Sequence, residues 1–209
     1  MWPWEHLAIG YLLYSLLVNA KDGRSPSGRA AIAVALGTQF PDVVDKPLAW
    51  VFGILPGGQS LAHSLLVAVP VALAVVFLDR ARARRTNTAD GRESESDLSL
   101  GTAFGIGYLS HLPADVVSPA LLGGDLSFEF LLWPVTPVSS PVADPFAHVG
   151  DLLGTFLAVL ATPEGVLFAS FEVLLLAAAF LRWYRDGTPG FPTGAARSSR
   201  RDSEFHRDS

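Results

Sequence analysis

Cysteine is absent from this 209-residue chain. That excludes a disulfide framework and any thiolate metal site, so a bound metal here must be held by histidine, carboxylate and water. Charge is scarce as well: 17% of the residues are charged, against about 25% in a typical soluble domain. Lysine is nearly missing, with Lys21 and Lys46 alone, and arginine supplies the rest of the positive charge. The formal net charge of −5 leaves no basic surface for nucleic acid, and no nucleic-acid partner is expected. Nor is a cleavable signal peptide expected. No basic segment precedes the first apolar run, and no small-residue cleavage site follows it.

What the chain has in abundance is apolar sequence. Half of its residues are hydrophobic, and five apolar runs stand out at 4–20, 30–40, 61–78, 98–122 and 166–183. The second is shorter than the roughly 20 residues a full span requires. Together they predict an all-α integral membrane bundle of about five transmembrane helices, with a short re-entrant or interfacial segment in the Pro- and Gly-rich stretch before residue 61. Residues 1–186 form this membrane-embedded domain, the charged stretch 79–97 reads as a cytoplasmic linker, and the polar tail 187–209 reads as disordered. A partly apolar helix over 146–162 is placed outside the bundle or at the interface.

Arginine placement orients the bundle. Positive clusters fall at 21–29, 80–92 and from 182 onwards, so these segments are assigned to the cytoplasm, with the N-terminus outside. That orientation carries His6, Asp42, Asp45, His63, His111 and Asp115 to one membrane face. His148 and Asp151 lie in the outer segment, and His206 is in the tail. Asp42 and Asp45 are three apart and His111 and Asp115 four apart, so each pair shares a helix face. Ionisable groups near lipid pair, coordinate or line a wet cavity, and this donor set suits zinc, manganese or iron. Each residue also has a plainer reading: Asp42 as a helix cap, Asp45 paired with Lys46, His111 and Asp115 as a buried hydrogen-bonded pair. Convergence of four separate segments at one depth favours a shared metal site. Glu172, in the middle of "VLFASFEVLLLAAAF", is expected to face the bundle interior, neutral or hydrogen-bonded.

Five stretches in order resemble the YdjM-like family of predicted membrane-bound metal-dependent hydrolases: the helix opening on His6, "LGTQFPDVVD", "AHSLL", "GYLSHLPADVVSP" and "LLWPV". The chain departs from the family in two places. Asp45 stands one residue beyond the family's Pro-Asp-x-Asp, and "PGGQSLAHS" lacks a histidine that the family often carries before its Thr-His-Ser. The family in turn resembles the zinc-dependent phospholipase C and P1 nuclease group. The resemblance implies one or two divalent ions, zinc first among them, held by His6, Asp42, His63, His111 and Asp115. Asp42 and Asp45 are the implied catalytic carboxylates, with Asp45 orienting water, accepting its proton or adding a ligand. A phosphoester or phosphodiester of a membrane lipid headgroup is the implied substrate. The alternative is a non-catalytic metal-binding or small transport protein of the same fold.

Overall fold

The computed structural model describes residues 2–90, 98–121, 124–138 and 145–191. Among these there is no strand. Six helices carry the fold: α1 (Pro3–Asp22), α2 (Gly28–Lys46), α3 (Leu65–Asp90), α4 (Leu100–Leu121), α5 (Pro145–Leu160) and α6 (Pro163–Arg185). One π-helical turn, Pro47–Val51, follows α2, and a 3-10 turn, Glu129–Leu132, follows α4.

The helix ends follow local chemistry. Pro3 opens α1 where a missing N–H costs nothing, the Glu5 carboxylate accepts from the Trp2 amide at 2.6 Å, and Gly23 closes the helix at φ 64°. Ser27 caps α2 by accepting from the Ala30 amide, and Thr162 caps α6 by accepting from the Gly165 amide. The Asp79 carboxylate on α3 accepts from the Gly101 amide at 2.8 Å, which ties α3 to the start of α4.

Two boundaries differ from the sequence expectation. The apolar run that fades at Phe40 continues as helix through Pro41 to Lys46, so Asp42 and Asp45 stand on α2 itself rather than beyond its end. Proline forfeits one backbone bond inside a helix, and packing against α4 outweighs that local cost. The charged stretch expected as a linker from residue 79 is helical to Asp90, because "RARARR" is built from strong helix formers. Residues 91–97 and 192–209, the rest of the expected linker and most of the expected tail, lie outside the described residues. Among the described residues, α6 alone of the five expected spans is both long and apolar enough to cross a membrane by length and composition.

Helix α4 is the centre of the bundle. It packs against α2 and α3, while α1 lies over α2 and α4 and α6 docks on α1. The α2–α4 contact is backbone to backbone: a Cβ on Gly37 would collide with the carbonyl of Phe104, and one on Gly107 with the carbonyl of Val34. Small residues at such crossings let helices approach closely in an apolar medium. On one side Tyr14, Val18, Ala30, Val34 and Ala103 close a core, and on the other Ala68, Tyr108, Leu112, Val116 and Phe130 close a second. At the far end of α6, the Asp186 carboxylate accepts from the hydroxyls of Tyr11 and Ser15 and pairs with Arg182, fastening α6 to α1.

Gly107→Val is therefore expected to force α2 and α4 apart and destabilise the protein by about 1–3 kcal/mol, the cost of overpacking. Gly150→Ala on α5, where a new methyl meets nothing, is the control and should leave the melting temperature unchanged or slightly raised. Equal melting temperatures for the two variants would contradict the close crossing.

Candidate metal centre

The chain alternates so that the N-terminal end of α1, the C-terminal ends of α2 and α4, and the loop leading into α3 meet at one end of the bundle. Almost all the buried polarity is concentrated there. Glu5, His6, Thr38, Asp42, Asp45, Ser60, His63, Ser64, His111 and Asp115 are each less than a tenth exposed. In water-free surroundings so many polar groups require partners.

Four of them converge. Ligand atoms of Asp42, His63, His111 and Asp115 all lie within 4.8 Å of one another. His63 Nε2 stands 3.1 Å from His111 Nε2, 3.3 Å from Asp115 Oδ2 and 3.5 Å from Asp42 Oδ1. His111 Nε2 stands 3.2 Å from Asp115 Oδ2 and 3.8 Å from Asp42 Oδ1. A tetrahedral zinc site with arms of about 2.1 Å has edges of about 3.4 Å. Five of the six edges, at 3.1–3.8 Å, lie near that value, and the sixth, Asp42 to Asp115, is within 4.8 Å.

The tautomers follow from the outer partners. His111 Nδ1 is 2.6 Å from the Thr38 carbonyl oxygen, which can only accept, so Nδ1 carries the proton and Nε2 presents a lone pair. His63 Nδ1 is 2.8 Å from Asp45 Oδ2 and donates to that carboxylate. Two Nε2 atoms with their lone pairs facing at 3.1 Å repel unless a proton or a cation lies between them. Carboxylate and carbonyl partners on Nδ1 are the usual way a protein aims imidazole at a metal. Charge leads to the same conclusion. Asp42, Asp45 and Asp115 bring three negative charges, and Lys46 Nζ, 2.6 Å from Asp42 Oδ2, returns one. A divalent cation supplies the missing two.

The remaining expected residues fall around this ring of four. His6 is buried and stacks on His111 with ring centroids 3.6 Å apart. Its Nε2 is 3.2 Å from Asp115 Oδ1, yet neither ring nitrogen is aligned for a hydrogen bond. It thus adjoins the ring without being one of the four mutually adjacent donors. Both Asp45 oxygens are occupied by the loop before α3, accepting from the amides of Ser60 and Ala62 as well as from His63. That arrangement makes Asp45 the group that folds the loop and aims His63, rather than a free base. Asp151 is exposed and outside the group, and the side chain of His148 and all of His206 lie outside the described residues. Glu172 is half-buried rather than turned into the bundle interior, and it accepts from the Trp4 indole at 2.5 Å.

Several contributors were not legible in the sequence. The Thr38 carbonyl has no sequence signature. Gln59 donates to Asp115 Oδ2 at 2.8 Å, and Tyr108 donates to the Ala62 carbonyl at 2.7 Å, bracing the loop that carries His63. The Ser64 hydroxyl, one residue on, donates to the Trp133 carbonyl at 2.6 Å, which explains why "AHSLL" and "LLWPV" belong to one site. The adjacency of Gln59 to this loop was visible, but its reach to Asp115 was not.

Compared with known families, the chain matches the model described as YdjM inner membrane protein over residues 1–187. No curated protein and no solved structure matches it.

Proposed function

The chain belongs to the YdjM inner membrane protein family, and from that premise and the donor ring we propose a membrane-bound, metal-dependent hydrolase. The carrying observation is the set of four buried donors at coordination spacing, two of them imidazoles held in the tautomer that leaves Nε2 free. Asp42, His63, His111 and Asp115 hold the ion, most naturally zinc, with His6 beside them on the Asp115 side. When bound, such an ion supplies Lewis acidity and lowers the pKa of water toward about 7.

The chain's own residues do the rest. Asp45 and the Thr38 carbonyl keep both imidazoles in register, and Gln59 holds the Asp115 carboxylate. Of the four donors, Asp42 lies nearest the surface, and its second oxygen meets the partly exposed Lys46. A substrate reaching the centre from that side meets Asp42 first. We place the centre at the extracytoplasmic face of a five-span bundle. The arginine-bearing ends of α3 and α6 support this, since they lie by the start of α4 and the second half of α1, away from the ends that bear the centre. A centre at a membrane surface suits a phosphoester of a lipid headgroup.

One observation favours a second reading. Four protein donors, each with no more than a tenth of its side chain exposed, resemble the closed set of a structural metal site, whereas catalytic sites keep a position open. Hydrolysis decides between them. The purified protein, loaded with zinc, is expected to cleave at least one member of a phosphomonoester and phosphodiester panel, and the His111→Ala, Asp115→Ala double variant to be inactive. Zinc bound in stoichiometric amount with no cleavage across the panel would establish the structural reading instead.

A further inference from the structure

The donor ring is buried, so recognition of a substrate depends on what stands where it meets the surface. Lys46 stands there. About a third of its side chain is exposed, against a tenth or less for the ring donors. It lies one turn beyond Asp42 on α2, with Nζ 2.6 Å from Asp42 Oδ2, while Asp42 Oδ1 faces His63 Nε2 at 3.5 Å. The ammonium is therefore separated from the ring by a single carboxylate.

Its position is built rather than incidental. Lys46 Nζ lies over the Trp50 indole, 5.8 Å from the ring centroid, which restrains the long side chain. The other face of the rim is the loop at Gly58, where a Cβ would stand 3.0 Å from the same indole. Gln59, next in that loop and also partly exposed, donates to Asp115 Oδ2. Lys46 and Gln59 thus approach the ring from neighbouring positions on one apolar platform.

We propose that Lys46, seated on Trp50 at the rim of the donor ring, is the residue that selects anionic substrates by binding a non-bridging oxygen of a phosphate-type group. The assignment rests on the hydrolase reading above and names the substrate class of that centre. An ammonium has three donors, and the ion pair with Asp42 engages at most one of them. Charge supplies the stronger reason. Three carboxylates around a divalent ion leave a net negative site that repels an anion, and Lys46 restores neutrality. Lysine serves phosphate as a compact point charge, so arginine should substitute for it in part and glutamine should not.

The test uses the full chain purified in detergent and loaded with zinc, with inorganic phosphate as the anionic probe and imidazole as a neutral one. Zinc content is measured for each variant, and binding of both probes by calorimetry. Lys46→Gln is expected to weaken phosphate about tenfold or more, the scale of a lost hydrogen bond to a charged group, and to leave imidazole unchanged. Lys46→Arg should keep phosphate affinity between those of Lys46→Gln and the wild type. Equal phosphate affinity in wild type and Lys46→Gln at equal zinc content would overturn the assignment. So would parallel weakening of phosphate and imidazole, because Lys46 would then act only through Asp42. A wild-type protein that takes up zinc but no phosphate overturns the subsite and leaves the metal centre standing. One that takes up no zinc overturns both.

Discussion

His63→Ala and His111→Ala will each abolish retention of a stoichiometric divalent ion, and with it the stabilisation that added zinc confers on the wild type. Outer partners of a metal ligand typically contribute 10–100-fold in affinity, and removing the ligand itself costs more. Here the loss is compounded, because each imidazole lies within 3.3 Å of the other and of Asp115. Its removal leaves three of the four mutually adjacent donors, with His6 on the Asp115 side outside that group. An ion present at about a thousand times its dissociation constant stabilises the folded state by about 4 kcal/mol. Metal analysis after dialysis, together with thermal unfolding with and without zinc, reads both effects. A His111→Ala protein that keeps its metal and its zinc-dependent rise in melting temperature would sink the centre as described.

Asp45→Ala is expected to have the largest effect on the folded state itself, with or without metal. Asp45 is fully buried and receives the Ser60 and Ala62 amides and the His63 ring. Truncation leaves these donors without an acceptor in a buried site and removes the charge that faces His63 Nδ1. Breaking a buried pair of this kind costs about 3–5 kcal/mol. Metal affinity should fall by a further 10–100-fold, since the imidazole loses the group that fixes its tautomer. The contrast with the histidine variants is diagnostic. Asp45→Ala should melt lower than the wild type even in chelator, whereas His111→Ala should differ chiefly when zinc is present. Wild-type melting of Asp45→Ala in chelator would mean that the loop is held by something else.

Much of this centre is legible in the chain as written. Two of the donors, His111 and Asp115, lie four residues apart on one helix, and a spacing of that kind translates directly into a shared face. Asp42 and His63 could be nominated by type, and the absence of cysteine narrowed the donor chemistry to what the structure assembles. The helical class was equally plain from the apolar runs. What misled was local punctuation. Pro41 marks a helix end by propensity, yet α2 continues past it, and that continuation places Asp42 and Asp45 three residues apart on one helix with different targets. "DRARARR" looks like a linker by charge and is helix by propensity.

The sequence by itself determined the helical class and the family and nominated His6, Asp42, His63, His111 and Asp115 as ligands, because these depend on composition, order and periodicity within single segments; the structure groups four of the five. The tertiary structure decided which carboxylate faces the ring and which stands behind it. It also decided that a Thr38 carbonyl and the Gln59 amide belong to the site, and that Lys46 stands at its rim. Those outcomes depend on how α2 crosses α4. At Gly37 and Gly107 the two backbones touch, and that close approach brings Thr38 onto His111 and Asp42 to the ring. Distances between helices are set by such packing, which no spacing along one chain segment encodes.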